Sequence, residues 1–332
     1  MHSLFRKICL AALLALLVSC APKGRYIAIS GYAQGGTYTV KLNLDGVDAR
    51  PEAIRDGIDS LLTLIDTTLS GYNKGSLLSR YNRGERIVPN PMFQDMFERA
   101  KGYWKETGGA VDASAAPLFD AWGFGFSTDS LPSDETVLGL AARCGMDKVP
   151  QDLSSGEGAR LNYNAVAQGY SCDVVAEYLY SLGVKDMLVD IGEIYCDGVN
   201  PSGRPWTLAV DKPVDGNNDP GAQIQGKWQS GGGPCGVVTS GNYRKFYVRD
   251  GRKYAHTIDP RTGYPVRHNL LSATVVAPTA ADADAYATYC MVIGLEEAKK
   301  FLAQREELEG YLIYDEDGRM LTWASDGFNL VD

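Results

Sequence analysis

The sequence predicts an α+β fold in a single domain, with antiparallel sheets and packed helices. Amphipathic helical patterns occupy residues 51–70 and 92–104, and a third pattern begins near Gly169. Beyond residue 185 the chain changes to short β-rich runs that are separated by glycine and aspartate. Helices followed by runs of hairpin-connected strands are typical of the α+β class.

The chain before residue 185 supplies one predicted strand and three predicted helices. The strand covers residues 37–44, and Pro51 suits the first turn of the helix that follows it. Each helical pattern places apolar side chains on one face at spacings of three and four residues. The stripes are Ile54, Ile58, Leu61, Leu62, Ile65 and Leu69; Met92, Phe93, Met96, Phe97, Ala100, Tyr103 and Trp104; and Val174, Val175, Tyr178, Leu179 and Leu182.

The second half is predicted to consist mainly of antiparallel strands. Residues 237–260 form a predicted hairpin with Asp250 and Gly251 at its turn. The glycine-rich run at residues 230–236 is interpreted as a flexible hairpin connection, because no lysine and no helix follow it.

A strand, a helix and a final hairpin complete the prediction. The strand covers residues 271–277, the helix runs from residue 280 to about residue 305, and the hairpin lies within residues 311–325. No linker is evident inside residues 31–332, so we expect one domain over this range.

The N-terminus has the pattern of an exported bacterial lipoprotein. Two basic residues precede the eleven apolar residues 8–18, a run too short to span a bilayer comfortably and typical of a signal peptide. Cys20 follows a small residue, which resembles a lipobox. We therefore predict a signal peptide at residues 1–19, a lipid-anchored tether at residues 20–30 and a periplasm-facing location in the bacterial cell envelope. The alternative is an ordinary secretory signal with an incidental cysteine.

Charge and cysteine content exclude several classes of function. A net charge of −9 without a basic cluster argues against nucleic acid as a partner, because phosphates need a basic surface. Five scattered cysteines remain once Cys9 and Cys20 are set aside, which argues against a disulfide framework and leaves room for one pair in an oxidising compartment. A zinc site is not expected, because only His256 and His268 remain beyond the leader.

No standard nucleotide-binding or metalloprotease motif is present. The sequence has no GxGxxG run after a strand, no GxxxxGK[ST] and no HExxH. The polar turn within residues 161–173 precedes a helix, so its N–H groups could face an anion or could belong to a plain helix cap. Residues 239–243 offer hydroxyls in a further turn.

Aromatic residues beside glycines mark a second kind of candidate segment. Residues 108–125 combine Asp112 with a Trp-Gly-Phe-Gly run, which suits either a pocket for a flat ring or core next to a loop. Tyr72 allows the same two interpretations.

Asp284 and Thr288 share one face of the late helix, since they stand at positions i and i+4. Their hard oxygens suit Mg²⁺. Spacing alone favours a plainer interpretation, in which the acid lies near the positive end of the helix and the threonine bonds back to a carbonyl. Two oxygen ligands by themselves do not make a metal site.

The run HTIDPRTGYPV, residues 256–266, crowds three polar side chains into one turn. Arg261 could hold a phosphate in a bidentate fork or could brace the turn by pairing with Asp259, and the brace is favoured. The role of His256 is left open at this point.

These segments, in their order along the chain, resemble the ApbE family of FAD:protein FMN transferases, which are usually exported lipoproteins. The segments are GGTYTVKL, LSGYNKGSLLSRYN, GGAVDASAAPLFDAWGFG, NAVAQGYSCDVV, LVDIGEIYCDG, VVTSGNYRKF, HTIDPRTGYPV and ADADAYAT. The resemblance covers nearly all of residues 31–332, and HTIDPRTGYPV and WGFG are its most specific motifs.

The resemblance implies an ApbE-like, T-fold-like catalytic domain that binds FAD and depends on Mg²⁺. Such an enzyme moves the FMN half of FAD to a Thr or Ser hydroxyl of a partner flavoprotein subunit and releases AMP. The family's Mg²⁺ ligands correspond to Asp284, Thr288 and the backbone carbonyl of Ala165. The family's FAD contacts correspond to Gly35, Tyr72, Ala110, Val111, Asp112, Asn162, Gln168 and Ile258.

Two residues are expected to act in catalysis. The acceptor hydroxyl is a poor nucleophile, and His256 is the candidate general base because histidine titrates in the useful range. Ordering the turn or binding FAD is the alternative role for His256. Asp284 would act through the cation, which stabilises charge on the departing AMP phosphate.

Departures from the family pattern keep two other functions open. Gly35 stands where the family often has methionine, Gln168 stands where it often has lysine or an acid, and the usual GGE is shortened to Gly192-Glu193. The alternatives are a periplasmic FAD pyrophosphatase, which yields FMN and AMP, and a non-catalytic flavin-binding lipoprotein.

Overall fold

A computed structural model describes residues 24–125, 131–156, 159–214, 216–217, 221–243, 246–249 and 252–331. The predicted signal peptide, the lipidation site Cys20 and the predicted turn at residues 250–251 lie outside the described residues. Within the described ranges, no helix is long and apolar enough to cross a membrane.

The described residues form fifteen strands and eight α-helices. The strands are β1 Tyr26–Ala33, β2 Gly36–Asn43, β3 Met187–Asp190, β4 Ile194–Asp197, β5 Thr207–Asp211, β6 Ile224–Gln229, β7 Cys235–Gly241, β8 Phe246–Arg249, β9 Arg252–Ala255, β10 Ile258–Asp259, β11 Tyr264–Pro265, β12 Leu270–Ala277, β13 Glu309–Glu316, β14 Arg319–Ala324 and β15 Leu330–Val331. The helices are α1 Pro51–Leu69, α2 Leu77–Asn82, α3 Pro91–Glu106, α4 Ala116–Ala121, α5 Asp134–Ala141, α6 Ala167–Ser181, α7 Ala280–Ile293 and α8 Leu295–Ala303.

An eight-stranded sheet in the order β1-β2-β3-β4-β7-β12-β13-β14 forms the centre of the fold. Every neighbouring pair in it is antiparallel. A three-stranded sheet, β15-β6-β5, and the two-stranded pairs β8-β9 and β10-β11 accompany it. The predicted α+β class with antiparallel sheets is therefore confirmed, as are the helices predicted at residues 51–70 and 92–104. The hairpin predicted over residues 237–260 is confirmed only for β8 and β9, because residues 237–241 belong to β7 of the large sheet.

The central strands of the large sheet are buried on both faces. On one face, Ala273 and Val275 of β12 join the core formed with α1, α6 and α7. On the other face, Val276 and Ile313 join a second cluster that includes Trp228 of the small sheet. Burial on both sides explains why β12 is mainly apolar instead of strictly alternating.

Helix α7 lies against β7, β12, α6 and α8 and is buried on most sides. Two glycines allow this close approach. A Cβ on Gly236 of β7 would lie 2.2 Å from the Ala280 Cα, and a Cβ on Gly169 of α6 would lie 2.1 Å from the Ala280 carbonyl oxygen. The small residues at the start of α7 therefore reflect contact on several sides, and they bring α6 and α7 together.

The predicted tether at residues 20–30 extends too far into the chain. Strand β1 begins at Tyr26, which pairs with Asn43, and Ile29 belongs to the hydrophobic core. Residues 26–30 are therefore part of the folded domain. Their short alternating pattern was not distinctive enough to separate a strand from a linker.

Two further predictions are wrong in detail. The helix predicted from residue 280 to about residue 305 is two helices, because Gly294 with φ of 80° separates α7 from α8. The glycine-rich run at residues 230–236 is not a hairpin connection, because its residues 230–234 connect β6 to β7, which belong to different sheets.

Candidate active site

A cavity of about 260 Å³ lies where the start of α6 faces one side of α7. Its walls also include residues that follow α3, the end of β7 and the turn after β9. Eleven predicted site residues line it: Tyr72, Ala110, Val111, Asp112, Asn162, Ala165, Gln168, His256, Ile258, Asp284 and Thr288. Segments that are distant in sequence therefore converge in one cavity.

Gly35 is the predicted FAD contact that does not line this cavity. It lies in the turn between β1 and β2 with φ of 81°. The preceding Gln34 donates from Nε2 to the Ser171 Oγ at 2.5 Å, which joins the turn to α6. The GGTYTVKL motif identifies the position of Gly35 in the chain, but it does not show whether the turn faces the cavity.

The first turns of α6 and α7 are completed by carboxylates from each other. Asp284 of α7 accepts a hydrogen bond from the Gly169 N–H at 3.1 Å. Asp173 of α6 accepts from the N–H groups of Ala280 and Ala281 at 2.8 and 2.9 Å. The N-cap of α6 makes no side-chain hydrogen bond of its own, so the plain cap considered for this turn is not present.

The environment of these two carboxylates favours a cation. Burial raises the pKa of Asp284, and the nearby negative charge of Asp173 raises that pKa further, while the Gly169 N–H lowers it. Burial likewise raises the pKa of Asp173. Two buried acids at one place destabilise each other's charged form, and a bound cation would relieve this cost.

Three oxygen atoms on the cavity wall make no hydrogen bond to the described residues. They are the Ala165 carbonyl oxygen, the second carboxylate oxygen of Asp284 and the Thr288 hydroxyl. Thr288 does not bond back to a carbonyl within the described chain, so the threonine part of the plainer interpretation is not observed. Carbonyl, carboxylate and hydroxyl oxygens are the donors that Mg²⁺ accepts, so this set fits the ion.

No cluster of three His, Cys, Asp or Glu side chains suited to a metal occurs in the described ranges. This finding does not contradict a magnesium site, because Mg²⁺ commonly takes one or two carboxylates and completes its shell with water and phosphate.

Asp112 forms a second polar wall and is 9% exposed. Its Oδ1 accepts from the Ser114 N–H at 2.8 Å and from the Ser114 hydroxyl at 2.6 Å, and the Ser114 Oγ accepts from the Gly145 N–H. Burial raises the pKa of Asp112 although these bonds lower it. Its Oδ2 makes no hydrogen bond to the described residues, so this oxygen is available to a ligand.

His256 follows β9 and lines the cavity beside an aromatic ring. The Phe124 ring meets it edge to face, with centroids 6.4 Å apart. Phe124 belongs to the Trp-Gly-Phe-Gly run, so the two most specific motifs of the sequence meet at this wall.

The turn after His256 is braced, as predicted. Arg261 donates from Nε and Nη2 to the two oxygens of Asp259 at 2.8 and 2.9 Å. The Gly263 carbonyl accepts from the Trp122 indole N–H at 2.7 Å, which anchors the turn to α4 and the residues after it. Arg261 is therefore used within the turn, whose rigidity fixes the backbone at Ile258.

Gln168 is held by the β3–β4 turn. Its Nε2 donates to the Ile191 carbonyl at 3.3 Å, and a Cβ on Gly192 would lie only 2.5 Å from that nitrogen. With φ of 89°, Gly192 suits both the turn and this close approach. The side chain at this position is therefore a neutral, anchored amide.

Sequence reasoning missed several residues of the site. Glu193, Thr239 and Phe119 line the cavity, and Asp173 supports it from outside. Each lies inside a segment that the sequence marked, but no spacing rule separates these residues from their neighbours. Only the contact between α6 and α7 shows what Asp173 does.

Comparison with known proteins places the chain in a family. Residues 34–312 match the model of the ApbE family. An FAD:protein FMN transferase of Haemophilus influenzae is 32% identical, with 99% of this chain and 98% of the relative covered. The protein of the same name from Escherichia coli K12 is 33% identical, with 87% and 84% covered.

Solved structures give the same result. The apo flavinyl transferase ApbE of Pseudomonas stutzeri matches with a TM-score of 0.80 and 29% identity, over 91% of this chain and 95% of that one. The flavin transferase ApbE of Vibrio cholerae matches with a TM-score of 0.77 and 30% identity, over 92% and 98%. The fold and the predicted resemblance are confirmed, and the chain belongs to the ApbE family.

Proposed function

We propose that this chain is a Mg²⁺-dependent FAD:protein FMN transferase that modifies a Thr or Ser hydroxyl of a partner flavoprotein subunit. The observation that carries the proposal is that the flavin-motif residues converge in one cavity with three oxygen atoms that accept no hydrogen bond from the described part of the chain. The names of the relatives, FAD:protein FMN transferases, support the same activity.

The aromatic side of the cavity suits the flavin ring. Tyr72 is 62% exposed at the cavity, and Phe119 and Phe124 line it. Flat aromatic faces of this kind favour stacking with a planar ring system. The Oδ2 of Asp112 would accept a hydrogen bond from a ring N–H, while the Asn162 Oδ1 is already used by the Asn164 N–H.

The opposite side suits the pyrophosphate. Ala165, Asp284 and Thr288 would hold Mg²⁺ through their three oxygens, and the bound ion would offset the charge that develops on the phosphates. Asp173 fixes the start of α7, so it would keep Asp284 and Thr288 aligned with the turn before α6. Positioning of this kind supplies much of the rate in phosphoryl transfer.

His256 would act as the general base. The acceptor hydroxyl oxygen bonds to the FMN phosphorus while the pyrophosphate P–O bond breaks, and AMP leaves with the bridging oxygen. His256 takes the hydroxyl proton, since an imidazole ring titrates near neutral pH. The edge-on contact with Phe124 limits the orientations of the imidazole ring.

We further propose that the chain is exported and anchored to a membrane through a lipid on Cys20. The support is the sequence of residues 1–20, with its basic start, its short apolar run and its lipobox-like end. Metabolic labelling with a radioactive fatty acid tests this directly. Label should enter the full-length chain and be lost in a Cys20→Ser variant.

Product analysis tests the enzymatic proposal. The chain is incubated with FAD, Mg²⁺ and a flavoprotein subunit that carries an acceptor threonine. Flavin bound covalently to the subunit, together with AMP, supports transfer. Equal amounts of FMN and AMP without flavin on the subunit would indicate the pyrophosphatase instead, and intact FAD would indicate a binding protein.

A further inference from the structure

Two cysteines face each other across neighbouring strands of the large sheet. Cys196 on β4 and Cys235 on β7 are partners in the antiparallel register. Their Sγ atoms are 3.7 Å apart. Directly opposed antiparallel residues have Cα separations of about 4.5–5.5 Å, which falls within the range of about 4.4–6.8 Å that disulfides span.

The backbone around the pair is already fixed on both sides. Ile194 pairs with Val237 beyond one end of the cysteine pair, and the Gly198 N–H donates to the Gly232 carbonyl at 3.2 Å beyond the other. Cys196 lies in the apolar cluster between the large and the small sheet, and Cys235 packs against that cluster. Closing the bond therefore requires side-chain movement without a change of register.

The other cysteines of the described residues do not offer this arrangement. Cys144 contacts the Leu140 carbonyl, and Cys172 contacts the Glu193 carbonyl. Within the described part of the chain, only Cys196 and Cys235 are in sulfur-to-sulfur contact.

We propose that Cys196 and Cys235 form a disulfide when the chain meets a disulfide oxidant. The bond would tie β4 to β7 next to the cavity, because Glu193 directly precedes β4 and Thr239 lies on β7. Such a crosslink stabilises the fold mainly by restricting the unfolded chain. This inference is independent of the flavin chemistry.

The reaction is a pair of thiol–disulfide exchanges. Cys235 is the half-buried partner and Cys196 is fully buried, so the Cys235 thiolate attacks the oxidant's disulfide first and releases one oxidant thiol. The Cys196 thiolate then attacks the Cys235 Sγ and releases the second. The two cysteine protons and two electrons end on the two oxidant thiols. In the reduced chain, the contact with Cys235 and burial raise the pKa of Cys196. Because the thiolate is the attacking form, formation of the disulfide should be faster at higher pH.

Peptide mapping tests the proposal. The full chain is treated with glutathione disulfide, quenched with an alkylating agent and digested with trypsin under denaturing conditions. Because cleavage before proline is blocked, Cys196 falls in the peptide of residues 186–227 and Cys235 in the peptide of residues 228–244. We expect these two peptides to be linked and to separate on reduction, while Cys144, Cys172 and Cys290 are alkylated.

Thermal unfolding supplies the second readout. The oxidised chain should melt roughly 4–10 °C above the reduced chain. A Cys235→Ser variant should show no such difference between oxidising and reducing conditions. Recovery of both peptides alkylated and unlinked after oxidation, or linkage of either one to a different cysteine, would overturn the proposal.

Discussion

Asp173 and Asp284 each complete the first turn of the helix that carries the other. Asp173 on α6 accepts from the N–H groups of Ala280 and Ala281, and Asp284 on α7 accepts from the Gly169 N–H. The starts of the two helices are thereby fixed relative to each other. Of the oxygen donors proposed for the metal, those of Asp284 and Thr288 lie on α7 and that of Ala165 lies just before α6. The distances between these oxygens therefore depend on the contact between the two helices.

An Asp173→Asn variant should need more Mg²⁺ for activity. The asparagine carbonyl oxygen can still accept from one of the two backbone N–H groups. Its NH₂ group would face the second N–H, so a buried donor would be left unpaired at a cost of about 1–3 kcal/mol. We expect a lower melting temperature and a roughly tenfold rise in the Mg²⁺ concentration that gives half-maximal turnover, since about 1.4 kcal/mol corresponds to tenfold. Magnesium titration of the rate measures this.

The exposed Asp48 provides the matched control, because Asp48→Asn makes the same chemical change away from the cavity. A Mg²⁺ requirement that stays unchanged in Asp173→Asn would show that the mutual capping does not position the metal ligands.

An Asp284→Asn variant should lose Mg²⁺-dependent turnover almost entirely. Its carbonyl oxygen preserves the acceptor for the Gly169 N–H, so the helix contact survives, whereas the charge that would face the cation is removed. Asp282→Asn, on the same helix, is the control because Asp282 bonds to the Tyr103 hydroxyl instead of lining the cavity. Full activity of Asp284→Asn would refute the metal assignment.

A His256→Ala variant should slow transfer more than it weakens FAD binding. Loss of a general base costs about 10²–10⁴-fold in rate, whereas the cavity retains its other walls. Equilibrium FAD titration and single-turnover transfer separate the two effects. If FAD affinity collapses while the rate with saturating FAD is preserved, His256 is a binding residue.

The stability of the chain should fall at acidic pH through His268. Burial lowers the pKa of His268, whose Nε2 lies 2.8 Å from the Met291 carbonyl oxygen. Because the folded-state pKa is below the usual value of about 6.5, the unfolded chain binds more protons between the two values. The contribution of His268 is complete above about pH 6.5 and is lost as pH drops towards the folded-state pKa.

Denaturant titrations between pH 5 and 7.5 measure this effect as the difference between the natural chain and a His268→Gln variant. The natural chain should lose stability faster on acidification, by up to about 1.4 kcal/mol per pH unit. Parallel curves for the two proteins would exclude His268 as the cause.

The sequence predicted structure well where a helix has one apolar face or where oppositely charged side chains are close together in a turn. The stripe from Ile54 to Leu69 and the brace between Arg261 and Asp259 are examples. Helix α7 was harder, because it is buried on most sides and has no apolar stripe that could distinguish its functional face. Its site residues came from the family resemblance.

Tertiary contacts explain what the sequence left undecided. Spacing favoured a structural role for Asp284 and Thr288. Only the proximity of Ala165, in the turn before α6, and of Gly169 on α6 makes the pair part of an oxygen-lined cavity. Gly35 shows the opposite case, since its motif matched the family while its turn lies outside the cavity wall.

The central claim is tested most directly by measuring AMP and protein-bound flavin in the same reaction. With FAD, Mg²⁺ and an acceptor subunit, the account predicts one AMP released for each flavin attached to a Thr or Ser hydroxyl, and neither product with Asp284→Asn. Undiminished AMP release and flavin attachment by the Asp284→Asn variant would contradict the account.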